Sequence, residues 1–106
     1  MIHTIEPERI NEEIVKNSDK LMIISMYADW CMPCEMFAPV VQELDKKYKD
    51  VEFYKVDVDE AKDFVTLNNI TATPTLLFYR DGEIKERVVG IKSLGKLSTI
   101  IEFYLP

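Results

Sequence analysis

The chain contains two cysteines, Cys31 and Cys34, and both lie in the segment "YADWCMPCEMF" with Met32 and Pro33 between them. Two thiols at this spacing can form a structural disulfide, supply half of a metal site, or act as a redox-active dithiol. A structural zinc site takes four ligands, and the chain offers only one histidine, His3, besides the two cysteines. A disulfide across two residues closes a very small loop and restrains the unfolded chain little. The redox-active dithiol is therefore the favoured interpretation, and we expect no metal and no bound cofactor.

The composition fits one globular domain that covers residues 1–106, because 47% of the residues are hydrophobic and can form a core. The net charge of -6 argues against a general nucleic-acid binder, which needs positive charge to neutralise phosphates. The N-terminal segment lacks the apolar core of a secretory signal, and the longest apolar run, "LMIISMYA", is too short to span a bilayer. We expect a cytoplasmic monomer that binds neither nucleic acid nor membranes.

Alternating strands and helices surround the cysteine pair. The pattern predicts strands near residues 3–5, 21–28, 51–59, 73–80 and 84–90, and helices over 6–17, 33–48, 60–69 and from Ser93 onward. Asp81-Gly82 predicts a hairpin between the last two strands. The last helix has an apolar stripe of Leu94, Leu97, Ile101, Tyr104 and Leu105. The order βαβαβαββα predicts an α/β domain with helices on both faces of a mixed sheet.

Cys31 falls where the strand 21–28 ends and the helix 33–48 begins. Free backbone N–H groups and the positive end of the helix dipole lower the pKa of a thiol at such a place. We expect the sulfur of Cys34, inside the first helical turn, to reach Cys31 and to be the more shielded of the two. Pro33 supplies a fixed φ that suits this turn. The placement predicts Cys31 as the attacking thiolate and Cys34 as the resolving thiol.

The sequence resembles the thioredoxin family over its whole length. The segment "ADWCMPC" is similar to the family's active-site segment, with Met32 where glycine is usual, and Pro39 matches a proline inside its long helix. "TATPT" matches the segment in which the proline, here Pro74, follows a cis peptide bond, and "FYRDGEIKERVVG" is similar to the closing hairpin. The resemblance implies the thioredoxin fold, a five-stranded mixed β-sheet flanked by four helices, and reduction of protein disulfides.

The same resemblance implies a mechanism and a set of contact residues. Cys31 attacks a substrate disulfide to form a mixed disulfide, Cys34 releases the reduced substrate, and a thioredoxin reductase restores the dithiol. Thr73, before the cis proline, offers its backbone to the protein-disulfide substrate. The apolar groove around the cysteines is expected to comprise Trp30, Met32, Pro33, Val58, Pro74, Val89, Gly90 and Ile91.

The sequence departs from the family at Ser25, where thioredoxins usually have a buried aspartate that helps to deprotonate the resolving cysteine. A serine hydroxyl is not a usable base near neutral pH, although it can hold a water or bond a backbone group. Lys55, the family's companion to that aspartate, is kept. Its ammonium is expected either to be partly buried or to reach solvent, and Asp57 or Asp59 could replace the missing partner. We expect a working reductase with slower resolution by Cys34.

Three other functions stay open on the sequence alone. The protein could exchange disulfides with one specialised partner, since Met32 adds a flexible apolar side chain where glycine would allow closer docking. It could have a glutaredoxin-like role, although no glutathione-binding signature is evident. It could be a redox-independent binding module, although the intact cysteine pair argues against that role.

Overall fold

The computed structural model describes residues 2–106, and it confirms the predicted order of five strands and four α-helices in that part of the chain. The strands are β1 (His3–Thr4), β2 (Met22–Tyr27), β3 (Glu52–Asp57), β4 (Thr75–Arg80) and β5 (Glu83–Val89). The helices are α1 (Ile10–Lys16), α2 (Met32–Lys47), α3 (Lys62–Leu67) and α4 (Leu94–Tyr104), and a 3₁₀ turn over Pro7–Arg9 precedes α1. Across residues 2–106, none of the helices combines the length and the apolar character needed to span a bilayer.

The strands form one mixed sheet in the order β1-β3-β2-β4-β5. β1 and β2 pair with β3 in parallel, whereas β4 pairs with β2 and β5 in antiparallel fashion. The predicted mixed sheet is therefore confirmed. Because β2 is central, four of its six side chains are fully buried, as its nearly continuous apolar run predicts.

Each face of the sheet carries its own core. One core packs α2 and α4 on the sheet through Phe37, Val41, Leu44, Leu97 and Ile101. The other packs α1 and α3 on the opposite face through Ile10, Ile14, Ala61, Phe64 and Val65. The predicted helices on both faces of the sheet are therefore confirmed, and the cysteine segment connects β2 to α2.

Short local signals set the ends of several elements. The predicted hairpin forms at Asp81 and Gly82, which both have positive φ, 56° and 77°, the conformation that a two-residue hairpin turn requires. The Ser93 hydroxyl accepts a hydrogen bond from the backbone N–H of Lys96 at 3.1 Å and caps α4 as predicted.

Leu94 belongs to the predicted apolar stripe of α4, but in the structure it is exposed. It is the first residue of α4, and the contact with the core begins one turn later at Leu97.

Candidate active site

The dithiol segment begins where β2, the central strand, ends. The backbone N–H of Cys31 donates to the carbonyl oxygen of Ala28 at 3.2 Å, within the turn that leads into α2. Cys31 has extended backbone angles, φ -92° and ψ 101°, and is the N-cap residue of α2. Its Sγ accepts a hydrogen bond from the backbone N–H of Cys34 at 3.2 Å. The helix terminus thus provides the Cys31 sulfur with a donor, and such donors stabilise a thiolate.

A disulfide joins Cys31 and Cys34, whose Cα atoms are 5.3 Å apart. The predicted reach between the two sulfurs is confirmed. The pair is the oxidised form of a dithiol, and its reduction takes up two electrons and two protons. The Cys31–Cys34 segment can therefore pass reducing equivalents to another disulfide.

The two cysteines differ in exposure. Cys31 is buried, with 4% of its surface exposed, whereas Cys34 is only half-buried as a whole residue. The expectation that the Cys34 sulfur is the more shielded of the two sulfurs stays a prediction. Cys34 lines an open cavity of about 240 Å³ beside α2, together with Ser25 and Lys55.

The loop before β4 meets the end of β5 beside the cysteines. The peptide bond between Thr73 and Pro74 is cis, as the family resemblance implies. The carbonyl oxygen of Pro74 accepts a hydrogen bond from the backbone N–H of Gly90 at 2.8 Å. Gly90 has a φ of 85°, in the region that side-chain-bearing residues avoid. Pro74 also lines the same cavity as Cys34, so the structure brings the predicted loop and the dithiol together.

Several predicted groove residues are exposed apolar side chains. Trp30 is 71% exposed and Met32 is 65% exposed, and Val89 and Ile91 are about half exposed. Single exposed apolar residues are ordinary, but these lie on the segments that meet at the dithiol. Val58 is half-buried and packs against the core on the α1 and α3 face, so its place in the groove stays a prediction.

One exposed side chain near the dithiol did not emerge from the sequence reasoning. Met36, on α2, is 65% exposed. It follows Met32 by four residues, so the two methionines lie on one face of the helix. The four-residue spacing of Met32 and Met36 in the sequence is the signal that predicts this shared face.

Trp30 is held by the end of the neighbouring parallel strand. Its indole Nε1 donates a hydrogen bond to Oδ2 of Asp59 at 2.8 Å. The backbone N–H of Asp59 in turn donates to Oδ1 of Asp57 at 2.9 Å. The sequence offers Asp59 as a partner for Lys55, but in the structure Asp59 accepts a hydrogen bond from Trp30 instead. The available signal was that parallel strands β2 and β3 end at the same edge of the sheet.

Ser25 on β2 and Lys55 on β3 lie side by side, because they are Cα partners in the parallel register of these strands. Both are half-buried and line the cavity beside Cys34. The Lys55 ammonium lies 5.3 Å from the centroid of the Tyr27 ring, a cation–π arrangement. Within residues 2–106 no carboxylate comes within ion-pair distance of this ammonium. Lys55 is therefore partly buried, and its ammonium lies beside an aromatic face instead of an acid.

The aromatic partner of Lys55 stays neutral over the physiological range. Burial raises the pKa of the Tyr27 hydroxyl, and the carboxylates of Asp57, Asp29 and Glu60 raise it further against the opposing hydrogen bond with Thr4. Because the phenol is neutral, the attraction between Lys55 and Tyr27 is that of a cation for an aromatic face.

No group of three or more His, Cys, Asp or Glu residues in the described range 2–106 is arranged to hold a metal ion.

Comparison with known proteins agrees with this geometry. Residues 2–103 match the family model described as thioredoxin. Thioredoxin H3 of Arabidopsis thaliana is 41% identical over 105 residues, which cover 93% of this chain and 89% of that protein. Thioredoxin-1 of Saccharomyces cerevisiae is 43% identical over 72 residues, which cover 68% of this chain and 70% of that protein.

Solved structures give the same result in three dimensions. The crystal structure of thioredoxin NaTrxh from Nicotiana alata superposes with a TM-score of 0.92 at 32% identity and covers 99% of this chain and 93% of that chain. The similarity in sequence and fold, together with the Cys31–Cys34 disulfide at the start of α2, identifies the protein as a thiol–disulfide oxidoreductase that reduces protein disulfides. The chain belongs to the thioredoxin family.

Proposed function

We propose that Cys31 is the nucleophile of the reduced protein and that Cys34 is the resolving cysteine. The observation that carries this assignment is the hydrogen bond from the backbone N–H of Cys34 to Cys31 Sγ, 3.2 Å long, at the N-terminus of α2. The donor and the positive end of the helix stabilise negative charge on the Cys31 sulfur. Cys34 lies within the helix, where its sulfur reaches Cys31.

The reaction then follows from this geometry. The Cys31 thiolate attacks one sulfur of a substrate disulfide, forms a mixed disulfide and expels the other substrate sulfur as a thiolate, which takes a proton. Cys34 loses its proton and attacks Cys31 Sγ. The Cys31–Cys34 bond forms while the bond between Cys31 and the substrate breaks. The substrate leaves with two thiols, and the enzyme has the disulfide present in this structure.

We propose that the substrate lies across Trp30, Met32, Pro33, Thr73, Pro74, Val58, Val89, Gly90 and Ile91. Support comes from the exposed apolar side chains of Trp30, Met32, Val89 and Ile91. Gly90 adds a backbone without a side chain beside Pro74, which would let an extended substrate segment approach closely. The partners would be protein disulfides with apolar neighbours, and a thioredoxin reductase would supply the electrons.

A coupled assay tests the function, and two variants test the roles of the cysteines. The wild type, supplied with a thioredoxin reductase and its reductant, should reduce insulin, and it should do so as a monomer. Cys34→Ser should accumulate a mixed disulfide with the substrate, whereas Cys31→Ser should accumulate none. Trapping by Cys31→Ser instead of Cys34→Ser would show that the roles are reversed. No insulin reduction with any supplied reductant would refute the function.

The proposal extends to the surroundings of Cys34. The cavity that Cys34 lines has Ser25 at the inner position, and its two acidic residues, Asp29 and Glu35, are exposed to solvent. Without a buried carboxylate as a base, we infer that Cys34 loses its proton slowly near neutral pH. Lys55 would act as a positioning residue that favours negative charge in the cavity.

We also propose that residues 1–106 fold as one domain and work in the cytoplasm. A dithiol that must be reduced again in each cycle suits a reducing compartment. The relatives include a chloroplastic M-type thioredoxin of Spinacia oleracea, so the location needs its own test. A fluorescent fusion observed in the source cell would decide between the cytoplasm and an organelle.

A further inference from the structure

The methionines of the structure fall into two groups that differ sharply in exposure. Met22 and Met26 on β2 are 0% exposed, whereas Met32 and Met36 on α2 are each 65% exposed. The only other sulfur atoms in residues 2–106 belong to the Cys31–Cys34 disulfide. In this oxidised form of the protein, Met32 and Met36 therefore present the two accessible thioethers of the described chain.

A thioether at such a position reacts with peroxides. The methionine sulfur attacks one oxygen of hydrogen peroxide, and an S–O bond forms as the O–O bond breaks. The proton on the attacked oxygen passes to the departing hydroxide, which leaves as water. The sulfur is oxidised by two electrons, and the peroxide is reduced by two. Thiolates are the more reactive sulfurs when they are present, but both cysteines are already in a disulfide here. Exposure then directs the reaction to Met32 and Met36.

The two exposed methionines lie where a substrate must dock. Met32 stands between Cys31 and Cys34, so a protein joined to Cys31 passes over it. Met36 follows by four residues on the same helix, and side chains at this spacing are neighbours on one face. Trp30, two residues before Met32 in the chain, is 71% exposed. The two thioethers thus add exposed apolar groups on the first turns of α2, the helix that follows Trp30 in the chain.

We propose that Met32 and Met36 form a peroxide-sensitive modification site that controls the affinity for protein disulfides. Oxidation gives each side chain a polar S=O group. A substrate that covers this oxygen without donating a hydrogen bond to it must remove its water at a cost. The Cys31–Cys34 pair keeps its atoms and its helix terminus, so reduction of a small disulfide, which covers little of α2, continues. This inference rests on the proposed function, because it requires that substrates dock at Trp30 and Met32.

The test begins with the disulfide form, treated with hydrogen peroxide and digested for peptide mass spectrometry. One oxygen atom should appear on Met32 and one on Met36 before any appears on Met22 or Met26. The treated protein is then reduced and assayed with insulin and with a small aromatic disulfide. We expect the KM for insulin to rise about five-fold and the rate with the small disulfide to stay unchanged. A methionine sulfoxide reductase should restore the KM.

The control is the double variant Met32→Leu/Met36→Leu, which keeps apolar side chains of similar size but has no thioether at either position. Each protein is compared with its own untreated form, and peroxide should leave the KM of the double variant unchanged. Oxidation of the buried methionines first, or full oxidation of Met32 and Met36 without a change in KM, would overturn the inference alone. An untreated protein that fails to reduce insulin would refute the proposed function and this inference with it.

Discussion

The indole Nε1 of Trp30, the residue before Cys31, donates a hydrogen bond to the carboxylate of Asp59, which follows strand β3, at 2.8 Å. The bond fixes one edge of a ring that is otherwise 71% exposed. It links the turn after β2 to the turn after β3, and the carboxylate of Asp57 holds the backbone of Asp59. Under the proposed docking of substrate on Trp30, a ring held in one orientation would reduce the entropy that binding must remove.

Asp59→Ala should release this ring. We expect the KM for insulin to rise about five-fold, because an exposed hydrogen bond to a charged group contributes about 1 kcal/mol. Trp30 is the only tryptophan of the chain, so its fluorescence reports the change directly. Asp59→Asn keeps an acceptor at the same place and should behave much like the wild type. Unchanged fluorescence and KM in Asp59→Ala would contradict a positioning role.

Ser25→Asp should accelerate the resolution step near neutral pH. The new carboxylate would enter the cavity that Cys34 lines, opposite Lys55 in the sheet register, and a positioned base raises such a rate about 100-fold or more. Lifetimes of the mixed disulfide, measured by rapid quench across pH, provide the test. Ser25→Ala is the control, since it removes the hydroxyl and adds no base. Equal lifetimes at every pH in wild type and Ser25→Asp would refute the inference that the missing carboxylate slows deprotonation of Cys34.

Gly90→Ala should destabilise the protein by about 1 kcal/mol, because residue 90 has a positive φ that alanine adopts only with strain. The added Cβ itself fits, since its nearest neighbour is the Lys92 ammonium at 3.7 Å. Gly95→Ala is the matched control: it lies in helix α4 with nothing within 4 Å of the added Cβ. That change should stabilise the protein by about 0.5–1 kcal/mol. Urea unfolding compares the two, and equal effects would show that backbone strain at Gly90 is absent.

Tyr79 should make the fold sensitive to alkali. Burial raises the pKa of the Tyr79 hydroxyl to about 12, partly opposed by Arg87, while an unfolded tyrosine has a pKa of about 10. The fold favours the neutral phenol, so this stability is complete below pH of about 10 and is lost as the pH rises toward 12, by at most about 2–3 kcal/mol. Unfolding free energies of wild type and Tyr79→Phe, measured from pH 8 to 12, should diverge only at the alkaline end. Parallel curves would show that Tyr79 titrates normally.

Most of the fold followed from local pattern. The apolar run before Tyr27, the helical stripe through Phe37 and Val41, and the hairpin signal at Asp81 each predicted an element found in the structure. Element ends were less predictable, as with Leu94, because a helical stripe does not indicate the turn at which packing against the sheet begins.

Within the site, the two cysteines followed from their position at the start of a helix, whereas the cis bond before Pro74 was implied by the resemblance to the thioredoxin family. Sequence reasoning did not find the hydrogen bond between Trp30 and Asp59, nor the cavity that Cys34 lines. Both arise between segments far apart in the chain, where the sheet register decides which side chains meet.

The sequence by itself therefore determined the chemistry of this protein: two thiols spaced by Met32 and Pro33 at the start of an amphipathic helix, with no aspartate at position 25. Only the tertiary structure decided which groups surround that chemistry. It placed Lys55 over the Tyr27 ring without a carboxylate and gave Asp59 to Trp30. The reason is physical: covalent spacing and helix capping act over a few residues, whereas charge pairing and exposure depend on how strands from different parts of the chain align.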